Sequence, residues 1–194
     1  MPIELEAKFR VDSHEPVRKR LRAMGAEPLG AVIETNVILD SADGSLRRRG
    51  SGLRVRSATP CEGGASKATL TYKGPTTASA FKSREEIETE IGDADASVRI
   101  LVALGFVPVL RYEKRRESWR YGGCRIELDV PPHIGLFIEI EGPTEDAIRL
   151  VRDALGLSDA THVRESYVRM LTAYGVEHGI ADDMLMLDTR SKSD

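Results

Sequence analysis

Cysteine and histidine are scarce in this sequence, and their scarcity excludes several kinds of site. The 194 residues include two cysteines and four histidines. Cys61 and Cys124 cannot build a disulfide framework, and no Cys-x-x-Cys motif occurs. The histidines are scattered without the spacing of zinc ligands. We therefore expect no zinc site, no disulfide-stapled fold and no histidine general base.

Aromatic residues and long apolar runs are also scarce. Aromatics make up 5% of the residues, whereas a sheet that binds RNA exposes aromatic rings among its basic strands. The net charge of −3 provides no overall basic field for nucleic acid. No apolar run has the length of a membrane span, and the chain does not open on a basic segment followed by an apolar one. These features predict a soluble, cytoplasmic protein with no nucleic-acid partner and no membrane.

Charged residues, in contrast, make up 30% of the chain, and many of them alternate with apolar residues. The first such segment places Glu4, Glu6 and Lys8 on one face of a strand, opposite an apolar face. A similar alternation of charged or polar side chains with apolar ones recurs in segments 53–56, 69–73, 84–91, 125–130 and 137–141. Segment 112–121 carries charge on both faces, so its period does not show which side chains point inward.

One strand with this pattern needs no ligand, because any half-buried strand keeps a polar face in water. Here the sign of the charge changes between strands, and cross-strand ion pairs contribute only about 0.2–1 kcal/mol each. That gain is small for so many charges, so we interpret the pattern as a charged interior that holds a charged ligand. Carboxylates suit Mg2+ or Mn2+, and arginine and lysine suit phosphate oxygens. The combination fits a polyphosphate bridged by a metal ion.

The order of the elements predicts an α+β fold. Strands are expected at 3–11, 32–40, 53–58, 68–73, 82–91, 107–121, 124–130 and 135–141. Helices are expected from an N-cap at Asp12 or Ser13 to Met24, at 95–104 with Val98, Leu101 and Val102 buried, at 144–155 and at 164–174. Eight strands of this kind favour an antiparallel sheet that closes on itself as a barrel with flanking helices. We assign residues 1–175 to one domain and 176–194 to a partly disordered C-terminal tail.

The first charged segment resembles a family signature. Glu4-x-Glu6-x-Lys8 is similar to the Glu-x-Glu-x-Lys motif of the CYTH family, which includes class IV adenylyl cyclases, thiamine triphosphatases and inorganic triphosphatases. Further marks of the resemblance follow in the same order along the chain, at 53–56, 70–75, 84–88, 114–116, 127–130, 135–141 and 166–167. The resemblance implies an eight-stranded antiparallel β-barrel known as a triphosphate tunnel.

The resemblance also implies roles for individual residues. It assigns catalytic roles to Glu4, Glu6 and Lys8. It implies Mg2+ or Mn2+ as cofactor, held by the acidic residues Glu4, Glu6, Glu88, Asp129, Glu139 and Glu141. It implies that phosphates contact the basic residues Lys8, Arg54, Arg56, Lys73, Lys114 and Arg116, with Lys114 and Arg116 turned inward. The chain departs from the family at Asn36, where many members carry an acid.

The implied activity belongs to a short set of alternatives. The pattern is most similar to that of class IV adenylyl cyclases, which convert ATP to cyclic AMP and pyrophosphate. The alternatives are hydrolysis of the terminal phosphate of inorganic or thiamine triphosphate, and a non-catalytic module that binds polyphosphate or a nucleotide. The expected partner is a nucleoside triphosphate or another triphosphate substrate. The sequence leaves open the organic group, the preferred metal and the formation of a homodimer.

Overall fold

The computed structural model describes residues 3–77, 81–180 and 185–187. It contains the strands β1 (Ile3–Val11), β2 (Glu27–Ser41), β3 (Gly52–Pro60), β4 (Lys67–Lys73), β5 (Lys82–Ile91), β6 (Phe106–Tyr121), β7 (Cys124–Val130) and β8 (Leu136–Glu141). The helices are α1 (Glu15–Ala23), α2 (Ser45–Arg48), α3 (Ala94–Ala103), α4 (Glu145–Ala154) and α5 (Tyr167–His178). In these described ranges, no helix is long and apolar enough to cross a membrane.

The strands close into an antiparallel barrel in the order β1-β5-β4-β3-β2-β6-β7-β8, which confirms the predicted fold. Closure depends on the pairing of β1 with β8, in which Lys8 lies opposite Glu139 and Glu6 lies opposite Glu141. Because successive side chains of a strand point to opposite faces, the charged side chains of the alternating strands face the barrel interior, and most of their apolar side chains face outward.

The main hydrophobic core lies outside the barrel, beneath α1 and α4. Ala7 and Phe9 of β1 contribute to it, together with the outward-facing apolar residues of β7 and β8. The helices contribute Val17, Leu21, Ile148, Val151 and Leu155. Burial of these side chains, at roughly 25 cal/mol per Å² of apolar surface, stabilises the barrel wall from outside. The interior can therefore hold polar groups.

A second apolar cluster closes one end of the barrel interior. Ile38, Leu110, Tyr112 and Phe137 point inward from their strands, and they pack against α5. The helix contributes Tyr167 and Leu171, and Leu185 is fully buried in the same cluster. We call these seven residues the plug.

Helix α5 continues past residue 175, where we placed the domain boundary. Residues 188–194 of the predicted tail lie outside the described residues.

Several element boundaries differ from the prediction. Strand β2 begins at Glu27 rather than at 32, because its first residues pair with β6 around a bulge between Pro28 and Gly30. Helix α1 has His14 as its N-cap instead of Asp12 or Ser13. Helix α5 begins at Tyr167, where Ser166 caps it, rather than at 164. These starts depend on tertiary pairing and on local capping geometry, which periodicity does not show.

Two further differences concern α2 and α3. Helix α2 was not predicted, and it forms because the Asp40 carboxylate accepts hydrogen bonds from the backbone N–H groups of Leu46 and Arg47 (2.9 and 3.2 Å). In α3, Val98 and Leu101 are half-buried, but Val102 is 45% exposed, so its assignment to the buried face was wrong. The helix lies on β3 and β6 along a narrow apolar stripe, and Val102 falls outside that stripe.

Candidate active site

The barrel interior beyond the plug is a cavity of about 1940 Å³ with a charged lining. All of the predicted site residues line it except Asp129. The structure therefore brings together acids and bases from β1, β3, β4, β5, β6 and β8. Acidic and basic groups alternate around the wall, and each predicted base that we describe below contacts at least one carboxylate.

Glu4 lies between two bases. Its carboxylate accepts hydrogen bonds from Lys73 Nζ (2.7 Å) and Arg84 Nε (3.1 Å). Burial alone would raise the pKa of Glu4, but Lys73 and Arg84 together hold this pKa well below the ordinary value. Lys73 also contacts Glu86 at 2.8 Å. Glu4 is thus ionised at neutral pH and fixed by charge partners from β4 and β5.

Glu6 has a base partner that sequence reasoning missed. Lys82 Nζ donates to Glu6 Oε1 at 2.5 Å, and both side chains are nearly buried. Burial lowers the pKa of Lys82, and the positive charges of Arg84 and Lys8 lower it further, whereas Glu6 opposes the shift. Lys82 and Arg84 belong to the same alternating set as Glu86 and Glu88 in β5. Extending that alternation four residues from Glu86 towards the start of β5 would have found both bases.

Arg56 and Lys114 meet at another acid that was not predicted. Glu34, on β2, contacts Arg56 Nη1 (3.2 Å) and Lys114 Nζ (3.4 Å). Burial would raise the pKa of Glu34, but Lys114 and the neighbouring arginines hold it well below the ordinary value. Arg56 also donates to Glu88 at 3.1 Å. Glu34 lies inside the strand that we predicted at 32–40, but its neighbours at alternate positions, Val32 and Asn36, are uncharged, so the segment shows no alternation of charge.

Asp129 occupies a different position from the other predicted acids. It is fully buried inside the barrel, beneath the groups that line the cavity, and it accepts hydrogen bonds from Lys114 Nζ (3.1 Å), Arg116 Nε (2.7 Å) and the Tyr167 hydroxyl (2.9 Å). Its oxygens are therefore directed at bases rather than at the cavity. Asp129 is thus the partner that fixes Lys114 and Arg116, and its role as a metal ligand stays a prediction.

Glu139 stands in front of Asp129, on the cavity side. It contacts Lys8 Nζ at 3.3 Å and accepts a hydrogen bond from Arg116. Burial would raise the pKa of Glu139, but Lys8, Arg116 and Lys114 lower it well below the ordinary value. Asn36, the position that departs from the family, points into the same barrel and is fully buried.

Two of the carboxyl groups that line the cavity have raised pKa values. Burial raises the pKa of Glu141, and the nearby carboxylates of Glu4 and Glu86 raise it further. Burial also raises the pKa of Glu86, against the effect of Lys73. Mutual repulsion among carboxylates is what a hard divalent cation relieves. Within the described ranges no three His, Cys, Asp or Glu side chains are already arranged around one point, so the carboxylates would have to exchange their lysine and arginine partners before they could hold a cation.

The lowered pKa values predict how stability depends on pH. The carboxylates of Glu4, Glu34 and Glu139 stabilise the fold above the unfolded pKa of 4.5, and this contribution is lost as the pH falls from there towards their folded values. The pKa values of Glu86 and Glu141 are raised instead. Just above pH 4.5 their protonation therefore stabilises the fold, because it relieves repulsion among carboxylates. We expect the melting temperature to hold between pH 7 and about 5 and to fall steeply below 4.5.

Melting curves of the wild-type protein and of Glu34→Gln between pH 7 and 3 check this dependence. The glutamine variant should start from a lower melting temperature and decline less steeply below pH 4.5, because one of the titrating groups is missing. Parallel curves for the two proteins would show that Glu34 does not have the lowered pKa.

A closed barrel with acids and bases lining one internal cavity defines a class of charged-tunnel proteins. The CYTH domain family model matches residues 2–167, and the chain belongs to that family. A Methanocaldococcus jannaschii protein whose name describes it provisionally as an adenylate cyclase is 28% identical over 177 residues, which cover 87% of this chain and 98% of that protein.

Solved structures share the fold. The PH1819 protein of Pyrococcus horikoshii superposes with a TM-score of 0.77 at 28% identity, covering 88% of this chain and 99% of that one. HpAC1 from Hippeastrum, a provisional adenylyl cyclase described as having a dominant triphosphatase activity, superposes with a TM-score of 0.65 at 20% identity. That alignment covers 88% of this chain and 96% of the Hippeastrum chain. The CYTH resemblance of the sequence is thereby confirmed.

Proposed function

We propose that this protein is a metal-dependent enzyme of the class IV adenylyl cyclase type, which converts ATP to cyclic AMP and pyrophosphate. The observation that carries the proposal is the convergence of bases and acids from all eight strands on one internal cavity. The M. jannaschii relative, with its provisional adenylate cyclase name, supports the choice of a cyclase. Catalysis of this kind relies on positioning and on electrostatic stabilisation.

The bases of the tunnel would bind the triphosphate. Arginine presents a planar fork to two phosphate oxygens, whereas lysine acts as a movable point charge. The proposed phosphate contacts are Lys8, Arg54, Arg56, Lys73, Lys114 and Arg116, joined by Lys82 and Arg84. Each of the arginines Arg54 and Arg56 now contacts Glu88 (3.6 and 3.1 Å). Phosphate oxygens would take the place of these carboxylate oxygens.

The acids of the tunnel would hold Mg2+ or Mn2+. The proposed ligands are Glu4, Glu6, Glu88, Glu139 and Glu141. When bound, the cation would offset phosphate charge and polarise the attacking oxygen.

Glu86, which lines the cavity 2.8 Å from Lys73, is proposed to accept the proton of the attacking hydroxyl. Burial and the Glu4 carboxylate raise its pKa, which makes it a stronger proton acceptor than an ordinary glutamate. The bases around the tunnel orient the phosphates, and the plug excludes water from one end. Both effects favour attack by the 3′-hydroxyl of the ribose over attack by water.

Triphosphate hydrolysis is the second candidate. All of the proposed contacts are directed at phosphates and a metal ion, so the same lining serves attack by a water molecule on the terminal phosphorus. HpAC1, which shares the fold, is described as having a dominant triphosphatase activity. The organic group matters less for this reaction than for a cyclase.

Incubation with ATP, inorganic triphosphate or thiamine triphosphate, in Mg2+ or Mn2+, separates the alternatives. We expect cyclic AMP and pyrophosphate from ATP. Release of phosphate from any of the three would identify the hydrolase instead. Tight binding without turnover would identify a non-catalytic module, and no binding at all would refute the assignment of the tunnel to triphosphates.

The variant Arg56→Ala tests the phosphate contacts. Loss of a charge-assisted hydrogen bond should raise the KM for the triphosphate roughly 10- to 100-fold, while kcat and the melting temperature change little. Stability is preserved because Glu34 keeps Lys114 as a charge partner. Arg120→Ala is the matched control, since Arg120 forms an exposed ion pair with Glu27 near the end of β6 and is not among the residues that line the cavity. Equal kinetics in both variants would remove Arg56 from the phosphate contacts.

A further inference from the structure

Tyr167 places one aromatic ring beneath two of the tunnel lysines. Lys8 Nζ lies 3.9 Å from the centre of the ring, and Lys114 Nζ lies 4.9 Å from it. Both lysines are only 3% exposed. The ring belongs to the first residue of α5, more than fifty residues beyond Lys114 in sequence. Two buried ammonium groups from different strands thus share one aromatic ring.

We propose that Tyr167 is a positioning residue that aligns Lys8 and Lys114 for the phosphates of the substrate. The inference rests on the proposed function, because it concerns the same tunnel. Tyr167 itself does not contact the reacting atoms in this role. It acts through the two lysines and through Asp129.

The lysines need such a device for two reasons. A lysine side chain has four rotatable bonds and loses much rotamer freedom when it is fixed. In addition, two buried positive charges that are close together repel each other. The negative face of an aromatic ring attracts both ammonium groups within about 6 Å of its centre. One ring therefore offsets the repulsion and limits the positions of both charged ends.

Hydrogen bonds hold Tyr167 in place at its hydroxyl and at the start of its helix. The Tyr167 hydroxyl donates to Asp129 Oδ2 (2.9 Å), the same oxygen that accepts from Lys114. At the backbone, Ser166 caps α5 by accepting a hydrogen bond from the Arg169 N–H (3.3 Å), which fixes where the helix starts. The carbonyl of Glu165 accepts a hydrogen bond from Lys8 Nζ (3.0 Å).

The same contacts make the start of α5 part of the site. Lys8 is bound by the Glu165 carbonyl, by the Tyr167 ring and by Glu139 at once. Phosphate oxygens would replace Glu139 while the other two contacts remain. Helix α5 would then supply a fixed floor on which the lysines stay aligned when the substrate binds.

Three variants test the proposal. Tyr167→Phe keeps the ring and removes the hydroxyl, and Tyr167→Leu removes the ring. Leu171→Val is the control, because Leu171 is fully buried in the plug on the same helix and contributes apolar packing there. Two quantities are measured: the Kd for the Mg2+ complex of a methylene-bridged triphosphate, and the NMR shifts of the lysine Hε protons, assigned with Lys8→Arg and Lys114→Arg.

In the wild-type protein, ring currents should move the Hε signals of both lysines upfield. Tyr167→Phe should keep these shifts and bind within about threefold of the wild type. Tyr167→Leu should lose the shifts and bind roughly 10- to 30-fold more weakly. Leu171→Val should lower the melting temperature without changing Kd. The wild-type shifts alone decide the geometry if Tyr167→Leu does not fold.

Unshifted lysine signals in the wild-type protein would overturn the inference. Binding by Tyr167→Leu that equals wild-type binding would also overturn it. The same holds if the losses of affinity in Tyr167→Leu and Leu171→Val simply parallel their losses of melting temperature. A failure of the wild-type protein to bind the triphosphate is a different result. It would refute the proposed function, and the inference with it.

Discussion

Replacing Asp129 by alanine is expected to destabilise the protein by roughly 3–5 kcal/mol, because removal of one partner of a buried ion pair leaves charge uncompensated. Asp129 is fully buried and accepts hydrogen bonds from Lys114, Arg116 and Tyr167. Without it, two buried cations each lose an anionic partner and the Tyr167 hydroxyl loses its acceptor. This is the largest effect on stability that we expect from a single substitution in the site.

Denaturant unfolding at pH 7 measures this effect, with Glu141→Ala as the control. Glu141 lies on the same wall, but its neighbours Glu4 and Glu86 raise its pKa by repulsion. Its removal should therefore leave the free energy of unfolding unchanged or increase it. If Asp129→Ala unfolds at the wild-type denaturant concentration, Asp129 does not hold the bases in the way described.

Replacing Glu6 by alanine is expected to lower kcat/KM by roughly 10²–10³-fold, because a lost metal ligand weakens charge stabilisation in the transition state. The fold should persist, since Glu6 faces the cavity and contributes nothing to the core outside the barrel. Burial already lowers the pKa of Lys82, its partner, so this lysine gives up its proton more readily than an ordinary lysine once Glu6 is removed.

The measurement is the rate as a function of Mg2+ or Mn2+ concentration, together with the melting temperature. Glu90→Ala is the matched control, since Glu90 belongs to the same alternating set of β5 but is exposed. It should keep the wild-type metal dependence. Loss of folding in Glu6→Ala would show a structural role for Glu6 and weaken the site assignment.

Much of this site was predictable because a strand has a period of two. Once Glu4, Glu6 and Lys8 share a face, closure of the sheet turns that face inward, and the same holds for Arg54 and Arg56. The core outside the barrel follows from the opposite face of the same strands. Alternation therefore predicted both the fold and the charged lining.

The partner of each charge was not predictable, because partners come from strands far apart in the sequence. The pair of Glu6 with Lys82 depends on the register between β1 and β5, and Lys8 meets Glu139 through the register of β1 with β8. Alternation places residues on a face but does not give their depth. Asp129 and Glu141 therefore looked equivalent in the sequence, although Asp129 is fully buried and Glu141 lines the cavity.

The role of Tyr167 was hidden for a related reason. Its helix shows an apolar stripe that is typical of any packed helix. Only the folded chain shows that the stripe closes the barrel and that the first residue of the helix reaches two lysines.

A crystal structure of the protein with Mg2+ and methylene-bridged triphosphate tests the central claim most directly. The account predicts a triphosphate inside the barrel, with oxygens on Arg54, Arg56 and Lys114, and a cation bound by glutamates of β1 and β8. A triphosphate found on the outer surface, with the ion pairs of the tunnel unchanged, would contradict it.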